Sequence, residues 1–353
     1  LPGAQSGGVR KGPIVTLNRH LLVALAVFAG LFCASCRDRS KPAQKQVVLY
    51  CSVDQAVAEP IVAAFEKDTG IKVLARYDTE ASKTVGLVQK LRAEAGEPVC
   101  DVFWSSEVFY TIRLAGEGIL APFESERTRQ WPEAFTGPQK RWRGLALRAR
   151  VIAYHTRRVR PADAPKRLED LLDPKWKGRI VMADPQFGST GGDVASWFVH
   201  YGAKRAEEIL RGLKANGVPL VPGNSTAVRM LVAGRADLCL TDTDDVYAAQ
   251  RNGHAVALNY LDQGGKGVLT IPNTVSLVAG APHGAEAGEL IDFLLAGKAE
   301  SMLAASDSHN SPVLESVAEK FRQYRIGNPL RVDYARVAEM LPAAKAKAAE
   351  ILR

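Results

Sequence analysis

Five cysteines in 353 residues are too few to staple a fold of this size, and two of them, Cys33 and Cys36, lie in an N-terminal apolar segment. The other three, Cys51, Cys100 and Cys239, form an odd set without Cys-x-x-Cys spacing. That excludes a disulfide framework and a thiolate metal site and leaves buried single thiols. Cys51 ends one predicted strand and Cys100 begins another, so in a parallel sheet they stand at opposite ends, beyond disulfide reach. The six histidines, among them His155, His200 and His309, show neither HxxxH nor HExxH spacing, so surface or capping roles are expected rather than metal ligation. The stretch YCSVDQAVAEP after the first strand has no glycine, and no Walker lysine occurs, which excludes the dinucleotide and P-loop fingerprints. Gly188-Ser189-Thr190-Gly191-Gly192 carries Thr where a nucleophile elbow needs Ser, so no enzyme is expected. No block of Lys and Arg interleaved with aromatics suggests nucleic acid. No internal repeat and no low-complexity tract is present.

The N-terminus reads as an address. Arg19 and His20 precede the apolar run Leu21 to Phe32, which ends in CASC at Cys33 to Cys36. The run is shorter than the roughly 20 residues of a bilayer span, so cleavage of a secretory signal over residues 1–35 is expected. Ala34 and Ser35 before Cys36 match a bacterial lipobox, although Cys33 stands where that pattern usually has Leu. Cys36 is therefore the expected lipidated N-terminus, with residues 36–45 as a polar tether and the protein as an extracytoplasmic, membrane-anchored lipoprotein. Residues 1–14 carry no initiating Met and no apolar pattern and read as an upstream extension. Removing residues 1–35 takes away Arg10, Lys11 and Arg19 and no acid, lowering the net charge from +8 to +5, the mild basicity of a solvated surface.

Beyond the tether the hydrophobic period alternates. VVLYCS, IKVLARY and DVFWS read as strands, with helices predicted over 56–68, 83–95 and 108–115. A second unit of the same kind follows LALRARVIAYHT: strands GRIVMAD, VPLV and ADLCLT, with helices over 192–201, 203–215, 226–233 and 246–251. The chain then becomes helical, over 285–295, 299–305, 314–322 and 334–352. Such alternation implies right-handed crossovers and parallel sheets, an α/β fold. Extended segments near 145–155 and 267–279 flank the second unit as candidate hinges. Residues 46–147 plus 272–353 are expected to form lobe 1 and 150–268 lobe 2, with a ligand cleft between them.

Three carboxylates, Asp242, Asp244 and Asp245, crowd the end of the strand ADLCLT. In open α/β sheets ligands bind outside the carboxyl ends of strands, which makes these residues ligand candidates. The alternative is an acidic helix cap, where the helix dipole offsets their mutual repulsion. In DPQFGSTGGDVASW, the residues Ser189, Thr190 and Gly191 precede a predicted helix and form either an anion cradle or an ordinary turn with Thr190 as N-cap. Ser52, Asp54, Glu80 and Ser82 follow the first two strands and belong near the cleft, unless they merely cap the next helices. Trp104 reads as core packing.

In order, VVLYCSVDQAVAEPIVAAFEKDTGIKV, DVFWSSEVFYTIRLAGEGILAPF, LLDPKWKGRIVMADP and VRMLVAGRADLCLTDTDD resemble the extracellular solute-binding proteins of ABC importers, in the cluster that includes ferric-iron-binding proteins. The resemblance spans about residues 46 to 320. It implies a type II periplasmic-binding-protein fold, two α/β lobes joined by two hinge crossings, that closes on a ligand and hands it to an ABC permease in the membrane, working as a monomer without a resident cofactor. In the iron binders a Tyr pair follows the strand that here ends at Leu240, and this chain has Asp244 and Asp245 there, with Tyr247 after them. Those three are the metal-ligand candidates the resemblance implies. Where the iron binders carry a His or Tyr after the first strand, this chain has Val53, Asp54 and Gln55. Their Glu after the DVF strand aligns with Ser106, leaving Glu107 one position on. The ligand expected is ferric iron or another hard metal with a synergistic anion. An organic phosphate, phosphonate or zwitterion is the alternative ligand, and a membrane-anchored sensor domain is the alternative of another class.

Overall fold

A computed structural model describes residues 44–79 and 82–353, together with Gly8 and Gly12. The signal, the lipobox with Cys36, and Glu80 lie outside the described residues. Among the described residues, no helix is long and apolar enough to cross a membrane.

The first half of the chain builds strands β1 (Gln46–Cys51), β2 (Lys72–Tyr77), β3 (Val102–Ser105) and the short β4 (Leu120–Ala121). Helices α1 (Gln55–Thr69), α2 (Val85–Ala93) and α3 (Phe109–Gly116) connect them. β1 pairs in parallel with both β2 and β3. Alternation sorts the side chains: Val47, Leu49 and Cys51 join a core on one face of the sheet, while Val48 and Tyr50 join the core on the other, as the two-residue period of a strand requires.

β5 (Arg143–His155) leads into the second half, which holds β6 (Ile180–Ala183), α4 (Gly188–Tyr201), α5 (Ala203–Ala215), β7 (Leu220–Val221), α6 (Asn224–Val232), β8 (Leu238–Asp242), α7 (Thr243–Arg251) and β9 (Val256–Tyr260). β10 (Thr270–Val278) returns the chain to the first half, followed by α8 (Gly284–Leu294), α9 (Gly297–Ala305) and α10 (Tyr334–Leu352), short helical turns aside.

The strands form one hydrogen-bonded path, β2-β1-β3-β10-β5-β8-β6-β7, with β4 on β10 and β9 on β5. The two halves are therefore not separate sheets. β5 pairs with β10 through Arg143 to Ala149, then changes partner, pairing with β8 from Arg150 and with β9 from Val151. An irregularity between Pro272 and Asn273 marks the approach to this change. Opposite it, Ala146 has φ +46, a left-handed conformation that a non-glycine residue holds only when its surroundings enforce it. The buried Glu300 supplies that enforcement by accepting the Ala146 N–H at 3.0 Å together with those of Val313 and Leu314.

α10 is a second tie between the halves. Its Val337, Ala338, Leu341 and Ala344 belong to a core of the first half, whereas Ala348 and Ile351 belong to one of the second. Lys345 Nζ donates to Tyr110 Oη at 2.6 Å, and Lys345 O accepts from Gln186 Nε2 at 2.9 Å. Residues 272–353 are expected to form lobe 1 together with 46–147; their last helix packs on cores of both halves, and Lys45–Arg353 is one compact unit.

Element ends differ from the sequence reading chiefly at helix starts. α4 begins at Gly188 rather than Gly192, α6 at Asn224 rather than Thr226, and α7 at Thr243 rather than Val246. In each case the polar residues expected to precede the helix are its first turn. β9 and β4 were not anticipated, β9 because VALNY is too short and half-buried to stand out.

Candidate functional site

Three helix N-termini of the second half converge on one pocket. Phe187 to Thr190 come from the start of α4, Pro222 to Ser225 from the start of α6, and Asp244 and Asp245 from the first turn of α7; Asp54, Lys83 and Ser106 face them from the first half, with Arg148 of β5 at the back. The free space is about 30 Å³, enough for about two water molecules. α4 and α6 carry no acid in their first turns, whereas α7 carries two. First-turn N–H groups, apart from that of Gly188, which Lys83 O takes, and the helix dipole make the first two ends receptive to an anion. The third is already supplied with negative charge.

Arginines at 148 and 150 interrupt an apolar strand, and both are buried. Arg150 Nη1 donates to Asp242 at 2.6 Å and Arg150 Nε to Asp193 at 3.0 Å. Arg148 Nη1 donates to Asp242 at 2.9 Å and to Asp244 at 3.1 Å, and its Nη2 donates to Ser106 O. Asp242 also accepts from Ser189 Oγ at 2.6 Å and Asn224 Nδ2 at 3.1 Å. Burial pushes the Asp242 carboxyl up, but Arg150 and Arg148 outweigh it and hold the group below the usual carboxylate range. For Asp244 burial prevails, with the neighbouring Asp242 adding to it against Arg148, and its carboxyl is raised. Asp245 is raised further, by burial and then by Asp244 and Asp242; its oxygens accept from Ser225 and Thr241 hydroxyls at 3.0 and 3.2 Å. Among residues that line the pocket or the small space beside it, three buried polar atoms have no hydrogen-bond partner: Asp244 Oδ1, Arg148 Nε and Asn310 Nδ2.

On the opposite wall Lys83 Nζ pairs with Asp54. The next residue, Thr84, has φ +66 and ψ −45, and Val85 N–H donates to Lys83 O at 2.8 Å, a strained γ-turn. Lys83 O also accepts from Gly188 N–H at 3.2 Å, so the starts of α2 and α4 meet across the pocket. Close by, a Cβ on Gly192 would lie 2.1 Å from the Phe109 ring. Only glycine lets α4 approach α3 this closely.

This arrangement of two α/β halves around a polar pocket at helix ends has known counterparts. A family model described as bacterial extracellular solute-binding protein matches residues 97–336. The chain belongs to that family. Iron uptake protein A1 of Synechocystis is 28% identical to this solute-binding protein over 284 residues, covering 78% of this chain and 77% of the relative. A Salmonella typhimurium protein, provisionally named as a 2-aminoethylphosphonate-binding periplasmic protein, is 28% identical over 268 residues, covering 74% and 75%. Iron-bound HitA of Pseudomonas aeruginosa superposes with a TM-score of 0.75 at 25% identity, over 86% of this chain and 99% of HitA. The fold is the type II periplasmic-binding fold, and the family is one of binding proteins that act outside the cytoplasm.

Within this solute-binding protein, Asp54, Ser106, Ser189, Thr190, Asp244 and Asp245 line the pocket. Asp242 does not reach it, because two arginines, Ser189 and Asn224 use its carboxylate. Gly191 lies away from it too, with its Cβ position 2.6 Å from Pro185 O. Glu107 is fully buried and caps α3, accepting from Phe109 N–H at 2.7 Å and Tyr110 N–H at 3.2 Å. Burial raises its carboxyl to about 7. Ser52 is likewise behind the wall, where Ser106 N–H donates to its Oγ at 2.9 Å. Tyr247 points away from Asp244 and Asp245: its hydroxyl is 3.0 Å from that of Tyr260 and its ring meets His309 and Tyr324 edge-on. The trio Asp244, Asp245 and Tyr247 therefore does not converge as a metal site.

Sequence reasoning missed Lys83, Arg148, Asn224 and Ser225. Two signals were available: charged residues at alternate positions of the apolar strand LRARVIAY, which demand buried partners, and the Pro-Gly-Asn-Ser run before α6, a helix-start signature.

Proposed function

We propose that this protein captures a small organic ligand carrying an anionic phosphoryl or carboxylate group and a donor-bearing amine or hydroxyl. The observation that carries the reading is the division of helix ends: acid-free starts of α4 and α6 on one side of the pocket, Asp244 and Asp245 on the other. An anion seated at α4 and α6 gains N–H donors and Arg148, and an ammonium or hydroxyl beside Asp244 gives the unpartnered Oδ1 a donor. Ser106, Thr190 and Ser225 add neutral hydrogen bonds, and Lys83 with Asp54 closes the first-lobe side. The protein binds and releases its ligand and does no chemistry on it. The name of the Salmonella relative supports the same ligand class. Native mass spectrometry with metal analysis, on protein taken from its own periplasm, tests the reading. A retained organophosphorus or amino-acid-like mass is expected, and a stoichiometric metal without an organic mass overturns it.

A hard metal with a synergistic anion is the second reading. Oxygens of Asp242, Asp244 and Asp245 lie within 4.8 Å of one another, and the names of the cyanobacterial and Pseudomonas relatives speak of iron. Against it stands Arg148, whose guanidinium 3.1 Å from Asp244 sets a positive charge where a trivalent cation would have to sit.

The carrier delivers its ligand to an ABC permease from a lipid anchor at Cys36. A Cys36→Ser protein that still needs detergent for release overturns the anchor. A deletion strain with normal ligand uptake but a lost transcriptional response would make the protein a sensor instead. Opening and closing moves 46–147 with the strand and helices of 272–333 against 150–268 about the partner change in β5, while α10, which packs on both halves, shifts over one of them; a ligand-induced fall in radius of gyration by X-ray scattering is the expected sign.

A further inference from the structure

The pocket does not end at Asp244. Asp54, Ser225, Asp244 and Asp245 also line a second space of about 600 Å³, which runs outward between the lobes. Its character changes along the way. Beyond the acids the apolar part of its lining is Val228 and Val232, one turn apart on α6, Ala248 and Ala249 on α7, and Val57 on α1; its polar lining is the exposed Arg229, Asn252, His254 and Asp307 and the buried Ser308.

The two spaces differ in capacity by about twentyfold, 30 against 600 Å³. The inner one seats a single small group. Any ligand larger than that must pass the carboxylates and lie in the apolar groove, whose walls come from both lobes and so close around it together. Apolar surface placed at a cleft that must open and refill with water costs free energy in the open state, and a ligand that covers it recovers that cost.

We propose that the groove is a subsite for an uncharged, apolar substituent. The ligand is then an amphiphile: an anionic head at the starts of α4 and α6, a donor at Asp244, and a short hydrocarbon or aryl body against Val228, Val232 and Ala248. This rests on the head-group reading above and narrows it to one substrate class.

Two probes test it on the full mature protein by calorimetric titration: 2-aminoethylphosphonate, and its analogue bearing a butyl chain on the carbon that carries the amine. Each fully buried CH₂ contributes about fourfold in affinity, and burial here is partial, so the butyl probe is expected to bind at least tenfold more tightly. Val232→Ser and Ala248→Asn, both at half-buried positions, are expected to abolish most of that gain while leaving the parent probe unchanged, with thermal unfolding confirming a folded protein. Equal or weaker binding of the butyl probe, with the parent bound, overturns the subsite and leaves the head-group reading standing. Failure of both probes overturns both.

Discussion

The Arg150 guanidinium lies 2.6 Å from the Asp242 carboxylate, and neither side chain has exposed surface. Charges removed from water in this way are tolerable only when each is matched, and here each is matched twice: Arg150 by Asp242 and Asp193, Asp242 by Arg150 and Arg148. Asp242 is thus the keystone between β5 and β8 and positions Arg148 for the pocket. Arg150→Met leaves the buried Asp193 without a counter-charge and Asp242 with Arg148 alone, and is expected to cost about 3–5 kcal/mol. Urea denaturation checks this, and an unshifted midpoint would contradict it.

Glu107 makes stability depend on pH. Its folded value of about 7 lies above the ordinary 4.5, so the folded protein holds this proton more tightly than the unfolded chain does. The contribution is fully present below about pH 4.5 and is lost as pH rises through 7, at most about 3 kcal/mol. Unfolding curves at several pH values should show stability falling across that window, and Glu107→Gln should flatten the fall.

The fold was legible because its signals are local. Two-residue alternation in VVLYC and helical spacing in α1 and α5 give the α/β order, and the long extended runs near 145–155 and 267–279 are the strands β5 and β10. The site was legible only in part. That carboxylates follow β8 is visible in the sequence, but which of them faces the ligand depends on Arg148 and Arg150, whose partners lie some ninety residues away. Tyr247 shows the same limit: it sits in the right stretch, yet α7 turns it toward His309 and Tyr324, away from Asp244. The straddling position of α10 was invisible for a similar reason, since its apolar stripe says that it packs and not on what.

Gly192 fixes how closely the lobes meet beside the pocket. Gly192→Ala pushes a methyl group into the Phe109 ring, so α4 must move or the ring must leave its rotamer, at a cost of about 1–3 kcal/mol. A fall in Tm is expected, and Gly192→Ala combined with Phe109→Leu should recover part of it. No recovery in the double variant would place the strain elsewhere.

Arg148 is expected to select for the anionic end of the ligand. Arg148→Gln keeps a donor but removes the charge that Asp242 and Asp244 share. Affinity for a phosphonate should fall by about tenfold or more, the equivalent of about 1.4 kcal/mol, and should fall less for a neutral analogue. Equal losses for both would assign Arg148 a structural role only.

Asp244 carries the central claim, because it is the pocket carboxylate with an unpartnered oxygen. The decisive measurement is calorimetric titration of 2-aminoethylphosphonate into the wild-type protein and into Asp244→Asn, with thermal unfolding of the ligand-free variant alongside. Binding to the wild type and a loss of roughly tenfold or more in the variant, without a loss of ligand-free stability, is the result expected for a ligand-facing carboxylate. Unchanged affinity with a lowered Tm would show Asp244 to be a helix cap and would contradict the account.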